Sequence, residues 1–181
     1  GTQTCSGNGD GTIHYPMTSG SVHESWRAWE HLSHADFLQT EYTGIYGTAC
    51  SRTTDCILPG TNIPEAEIGE STGISVFYIQ SSWGSWATNV SRHVYTLGST
   101  TNTVGGVNQG TWFGRGLTPS EALAIDVKID DGGALTGDTV MMNTATYGPT
   151  CSAGDYTAPA NYDASYSDTA CVLITKTEFY E

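Results

Sequence analysis

Apolar positions recur along this chain with two different periods, and these periods predict its helices and strands. Near the start, one set follows the three- and four-residue spacing of a helix face: Val22, Trp26, Trp29, Leu32 and Ala35. Ser21 with Glu24 three residues later forms a capping-box pattern, which indicates the beginning of a helix. We therefore expect a helix over 22–36 and assign Trp26, Trp29 and Leu32 to the core.

Strands are predicted where β-branched and aromatic residues are concentrated. The two clearest runs are residues 73–80 and 92–97. A short apolar run at 140–142 and a longer one at 171–175 predict two more strands. Residues 40–72 and 98–117 are rich in Gly, Pro, Asn and Thr, which favour loops.

A second helix has a clear beginning. Thr118 is placed to cap it, Pro119 fits the first turn, and Glu121 completes a capping box. We expect the helix over 121–129. Its apolar residues cover most of its circumference, so we expect it to be buried on most sides, with Leu123, Ile125 and Ile129 in the core.

The order of elements limits the fold class. A helix is followed by strands, a short helix and further strands, without the alternation of strand and helix that builds a parallel sheet. The prediction is one α+β domain over residues 1–181, in which an N-terminal helix packs on an antiparallel sheet.

Composition narrows the classes of function. Hydrophobic residues make up 38% and aromatic residues 10% of the chain, which is enough for a packed core. The formal net charge is −13, so nucleic-acid binding, which needs a basic surface, is not expected. No apolar run reaches the length of a membrane span. The acidic excess fits either solubility or the binding of cations.

Five cysteines suggest an oxidising compartment. They stand at positions 5, 50, 56, 151 and 171, without a C-x-x-C pair. The natural pairing joins Cys50 to Cys56 and Cys151 to Cys171, which leaves Cys5 single, although five cysteines allow other pairings. On this basis we expect an exported protein, and the chain offers no catalytic pair or paired acids that would indicate an enzyme.

Calcium is the candidate ion. Asn8 and Asp10 stand at alternating positions before Gly11, as in the middle of a calcium loop, but the first and twelfth positions of such a loop lack their acids. Asp130 and Asp131 follow the second helix, where the helix dipole disfavours negative charge, so turn hydrogen bonds or a cation should hold them. Asp163 is a further candidate ligand. A plain glycine-rich turn and Asx-type turns are the alternatives.

A different function is suggested by three tryptophans. Trp83, Trp86 and Trp112 stand in Gly- and Ser-rich segments, where they could stack on a sugar or pack over a small core. The alternative function is therefore a secreted carbohydrate- or calcium-binding module.

Several motifs, taken in order, resemble one family. They are Gly9-Asp10-Gly11-Thr12-Ile13, the Trp29–Ala35 segment, Tyr42-Thr43-Gly44, the Pro59–Ile68 segment, Leu117–Ala122, Ile125–Gly132, Leu135-Thr136-Gly137 and the Cys151–Cys171 loop. This series is similar to the globular domains of bacterial prepilin-type proteins, which are the type IV pilins and the pseudopilins of type II secretion. The most specific match is the pair of segments around the second helix.

The resemblance implies a structural filament subunit. The family's N-terminal apolar helix, which anchors the subunit in the membrane before assembly, is not among these residues, so we expect it to precede Gly1. Other pilin-like subunits and the assembly machinery are the expected partners, and the expected location is the periplasmic or extracellular face. Secretion, adhesion, motility and DNA uptake stay open as roles.

Overall fold

A computed structural model of the chain describes residues 7, 9–14, 24–44, 58–69, 71–79, 91–99, 114–141, 151–153 and 160–177. The helices are α1 (Glu24–His34) and α2 (Pro119–Ile129). The strands are β1 (Thr72–Ile79), β2 (Arg92–Ser99), β3 (Thr139–Met141), β4 (Ser152–Ala153), β5 (Asn161–Tyr162) and β6 (Leu173–Lys176).

The main sheet has four antiparallel strands in the order β1-β2-β6-β3. β1 and β2 pair along their full lengths, from Thr72 opposite Ser99 to Ile79 opposite Arg92. β4 and β5 form a separate two-stranded ribbon. The predicted α+β class with an antiparallel sheet is confirmed, and each of the four predicted strands lies within two residues of its expected bounds.

Each face of the sheet carries a hydrophobic cluster, because successive strand residues point to opposite sides. Val140 and Ile174 pair across β3 and β6 and belong to the cluster that contains Trp26 and Trp29 of α1. Their chain neighbours Met141 and Leu173 belong to the cluster that contains Ala122 of α2 and the cysteines Cys151 and Cys171. The sheet therefore separates α1 from α2 and the disulfide.

The buried face of α1 differs from the predicted one. Trp26 and Trp29 are buried as expected, but Leu32 is 37% exposed. The buried face includes Glu30 and Ser33 instead. These residues follow Trp26 and Trp29 by four positions each, so they lie on the same side of the helix. Glu30 forms an ion pair with Arg27, and the Ser33 hydroxyl donates to the Glu30 carbonyl at 2.9 Å. Assigning Leu32 to the core was wrong.

α1 ends in a Schellman motif. The N–H of Asp36 donates to the Ser33 carbonyl at 3.1 Å, and the N–H of Phe37 donates to the Leu32 carbonyl at 3.0 Å. The residue between helix and loop, Asp36, has a φ of 59°, the left-handed conformation that glycine adopts at the lowest cost. An aspartate therefore occupies the position where this motif usually has glycine.

α2 has the predicted cap but not the predicted burial. The Thr118 hydroxyl accepts from the Glu121 N–H at 3.2 Å, and the Glu121 carboxylate accepts from the Thr118 N–H at 2.8 Å, so the capping box is present. However, Val127 is 62% exposed and Ile129 is 57% exposed. The buried residues of α2 lie at i, i+3 and i+7, and the last of them is an acid: Pro119, Ala122 and Asp126. Placing Ile129 in the core was wrong, whereas Leu123 and Ile125 are half-buried against the cluster on that face.

Candidate functional site

Three carboxylates meet where α2 ends. Asp126, Asp130 and Asp131 each offer an oxygen within 4.8 Å of the others. We call these three residues the acidic cluster. Asp126 is fully buried, Asp130 is half-buried and Asp131 is exposed. The arrangement follows from helix geometry, because Asp126 and Asp130 are four residues apart and therefore lie on one face.

Asp130 holds the turn that leads into β3. Its Oδ2 accepts from the N–H of Asp138 at 2.6 Å and from the N–H of Thr139 at 2.7 Å. Gly137 packs so closely against this carboxylate that a Cβ at that position would collide with it. The carboxylate thus takes up two backbone donors that the turn would otherwise leave open.

Asp131 holds the next turn. Its Oδ1 accepts from the N–H of Gly133 at 2.7 Å, which is an Asx-type turn, and its Oδ2 accepts from the hydroxyl of Thr136 at 2.8 Å. These bonds lower the pKa of Asp131 because they stabilise the ionised form. Turn hydrogen bonds, one of the two alternatives that the sequence left open, therefore contact both carboxylates.

Asp126 connects the cluster to the disulfide-closed loop. Its Oδ2 accepts from the Tyr162 hydroxyl at 2.7 Å, and its Oδ1 accepts from the Gly132 N–H at 3.2 Å. Burial raises the pKa of Asp126, and the charges of Asp130 and Asp131 add to this, while both hydrogen bonds act in the opposite direction. Burial, with the hydrogen bond to Asp126, raises the pKa of Tyr162, so its phenol stays protonated at neutral pH.

A disulfide ties the same loop to the sheet. Cys151 and Cys171 are bonded, with Cα atoms 4.9 Å apart, so this predicted pairing is confirmed. The Leu117 carbonyl, just before α2, accepts from the N–H groups of Ala170 and Cys171, each at 2.9 Å. Cys171 thus contacts the start of α2 and Tyr162 contacts its end. The predicted Cys50–Cys56 bond and Cys5 lie outside the described residues.

The acidic cluster has the donor set that a hard divalent cation prefers. Its three side chains offer carboxylate oxygens, which are among the oxygen ligands that calcium takes. Each carboxylate accepts two bonds from the protein, out of about four lone-pair positions. The residues present therefore fit calcium chemically, although the protein's own donors already satisfy part of each carboxylate.

The other calcium candidates do not join this cluster. Asp163 forms its own turn, in which its Oδ1 accepts from the Ser165 N–H at 3.2 Å and from the Ser165 hydroxyl at 2.5 Å. Asp10 accepts from the Thr12 N–H at 2.8 Å and lies 2.6 Å from His14 Nε2. Asn8 lies outside the described residues. Of these candidates, Asp130 and Asp131 are the pair that the structure brings together, with Asp126.

Asp126 and Tyr162 are the members of this site that sequence reasoning missed. The available signal was a lone acid at position 126 between Ile125 and Val127, four residues before Asp130. An aspartate at this position in an apolar helix needs a hydrogen-bond partner if its face of the helix is buried. Tyr162 had no comparable signal, because its partner is 36 residues away in the chain.

Comparison with known proteins gives no relative for this chain. No protein-family model, curated protein or solved structure matches it. Among the described residues, neither helix combines the length and apolar character needed to cross a bilayer.

Proposed function

We propose that this chain is the globular head of a pilin-like filament subunit, a structural protein that acts through contacts with other subunits. The observation that carries the proposal is the unit formed by α2, the turn at Asp130 and Asp131, and the Cys151–Cys171 loop. The segments around α2 carry the most specific part of the family resemblance, and the Cys151–Cys171 loop completes it. The helix and the loop are bonded to one another through Tyr162 and Leu117.

The chemistry of this unit supports a structural role. Each carboxylate of the acidic cluster accepts hydrogen bonds from the turns and loop around it. A catalytic acid or base must instead meet a proton of the substrate within hydrogen-bond reach. Groups used in this way fix the shape of a loop, and a fixed loop is what a contact surface needs.

The charge of the head is relevant to assembly. A formal net charge of −13 opposes association of heads in water. In the proposed subunit the apolar helix expected before Gly1 supplies the apolar area that drives assembly, and the head sets spacing and choice of partner.

Two measurements test this proposal. The coding region upstream of Gly1 should encode a cleavable signal followed by an apolar helix. The isolated chain should sediment as a monomer at moderate salt, whereas cells that express the anchored form should carry filaments by electron microscopy. An upstream region without an apolar segment would refute the proposal, and ordered fibres of the isolated head would assign assembly to these residues instead.

The acidic cluster favours one second candidate, a calcium-binding module. The related carbohydrate-binding function depends on Trp83, Trp86 and Trp112, which lie outside the described residues. Quenching of tryptophan fluorescence by sugars would favour that function over a filament subunit. A calcium titration, described below, tests the cluster itself.

A further inference from the structure

Residues 9–14 form a short segment, here called the strap, that lies along β1 at the edge of the main sheet. The Tyr78 N–H of β1 donates to the Ile13 carbonyl at 2.8 Å. The Ile13 side chain packs against the cluster that contains Trp26 and Trp29. The strap therefore covers part of an edge strand, whose open N–H groups would otherwise be available to another chain.

A second bond between the strap and the sheet involves an imidazole. The Ile13 N–H donates to His93 Nε2 at 3.0 Å. His93 stands on β2 directly opposite Tyr78, and their rings meet edge to face with centroids 5.3 Å apart. The His93 carbonyl accepts from the N–H and the hydroxyl of Thr177, at 3.1 and 2.9 Å. The imidazole is thus held on the sheet while its Nε2 faces the strap.

The direction of this bond determines the protonation state of His93. Nε2 can accept a hydrogen bond only while it carries no proton, so the ring is neutral with its proton on Nδ1. Protonation would place a second N–H on Nε2, opposite the Ile13 N–H, and two donors cannot bond to each other. We propose that His93 is an acid-sensitive latch, which holds the strap on β1 when neutral and releases it when protonated.

Other titratable groups surround the latch. They are Asp10 and His14 on the strap, Glu24 on α1, Tyr78 on β1, Arg92 on β2 and Lys176 on β6. Asp10 and His14 bond to each other at 2.6 Å, and Glu24 Oε2 accepts from the His14 N–H at 2.9 Å. Lys176 donates to the Gly137 carbonyl at 2.6 Å. The strap itself therefore carries an imidazole, His14, which any test must separate from His93.

Burial lowers the pKa of His93 below its ordinary value of 6.5. A released strap exposes the ring and returns its pKa toward that value. At a pH between the lowered pKa and 6.5, the released state binds more protons than the latched state, so acid favours release. The bond is therefore fully present above pH 6.5, and its contribution falls as the pH drops from 6.5 to the lowered pKa. Release also frees the Tyr78 N–H and opens the edge of β1.

Amide hydrogen exchange on the whole chain tests the latch. Protection of the Ile13 and Tyr78 amides, corrected for intrinsic exchange, should fall by up to about tenfold per pH unit as the pH drops below 6.5. The amides of β6 should keep their protection, which separates release of the strap from global unfolding. Unchanged protection of Ile13 down to about pH 5 would overturn the proposal.

Two variants assign the effect to one imidazole. His93→Gln keeps an acceptor oxygen but has no proton to gain, so protection of Ile13 should no longer depend on pH. His14→Gln removes the imidazole of the strap itself and should leave the pH dependence of Ile13 protection intact. The reverse pattern would overturn the proposal. If His93→Gln does not fold, NMR titration of the wild type replaces it. The amide nitrogen shift of Ile13 must then follow the titration of the His93 ring.

Discussion

The hydroxyl of Tyr162, in the disulfide-closed loop, donates a 2.7 Å hydrogen bond to the buried carboxylate of Asp126 on α2. The bond joins residues that are 36 positions apart in the sequence. Burial raises the pKa of Asp126, and the hydrogen bond from Tyr162 acts in the opposite direction.

Tyr162→Phe should destabilise the protein by about 1.5–3 kcal/mol, because a buried carboxylate loses a charge-assisted hydrogen bond. It should also raise the pKa of Asp126 further, since the tyrosine bond lowers that pKa. Urea unfolding and carboxyl carbon NMR titration measure the two effects. Tyr166→Phe is the matched control, because it deletes a hydroxyl from the same loop and leaves the bond to Asp126 in place. Equal losses in the two variants would contradict the prediction.

The pH dependence of stability should carry the signature of Asp126. Its pKa is raised in the folded state, so the folded protein binds more protons than the unfolded chain from pH 3.8 up to the raised pKa. The stability due to the protonated form is complete below 3.8 and is lost as the pH rises through that window. Asp126→Asn should remove this slope.

Asp131 provides a control of opposite sign for the same experiment. Its pKa is lowered by hydrogen bonds, so its contribution is present above pH 3.8 and is lost as the pH falls through the lowered pKa. Asp131→Asn should therefore reduce the loss of stability in acid. Denaturant midpoints measured from acid to neutral pH distinguish the two variants, and slopes of the same sign would show that the assignment is wrong.

The end of α1 offers a stabilising substitution. Asp36→Gly should increase the free energy of unfolding by about 0.5–1 kcal/mol, because glycine adopts a φ of 59° without a Cβ and the negative charge leaves the helix C-terminus. Asp36→Asn isolates the effect of charge, and Asp36→Ala, whose methyl disfavours this φ, should be the least stable of the three. Thermal unfolding ranks them, and an alanine variant as stable as the glycine variant would contradict the argument.

Loss of the disulfide should be costly. The loop between Cys151 and Cys171 spans 20 residues, for which chain entropy predicts about 3 kcal/mol. Cys151→Ala with Cys171→Ala should lower the urea midpoint accordingly, and reduced wild type should match the variant. If Cys50 and Cys56 are also bonded, thiol counting on denatured, unreduced protein should find one free thiol. Five free thiols would contradict the exported location.

Calcium should bind the acidic cluster weakly, because it would relieve the repulsion of three carboxylates within 4.8 Å of one another. At ten times its dissociation constant, one ion would add about 1.4 kcal/mol of stability. Melting temperature in millimolar calcium measures this effect. Asp131→Asn should abolish the shift and Asp163→Asn should not. No shift in the wild type would mean that hydrogen bonds alone hold the cluster.

Local signals predicted the elements better than the faces they bury. The Thr118–Glu121 capping box and the strand runs depend on neighbours in the chain, and the structure places them as expected. Burial depends on what packs against an element. Periodicity therefore placed Leu32 and Ile129 in the core, although the inner faces of their helices pass through Ser33 and Asp126.

The candidate site shows the same division. Asp130 and Asp131 were identified because acids at a helix C-terminus need donors, which is a local argument. Their buried partner Asp126 and its bond to Tyr162 depend on a contact over 36 residues.

The position of β6 has a consequence for the biogenesis of the protein. This strand lies in the interior of the sheet, between β2 and β3, yet it is formed by residues 173–176 near the end of the sequence. During synthesis or export, β2 and β3 therefore have no common neighbour until almost all of these residues have emerged. Such late, long-range pairing slows folding and leaves strand edges open meanwhile. The main sheet therefore cannot close until residues 173–176 are available to pair.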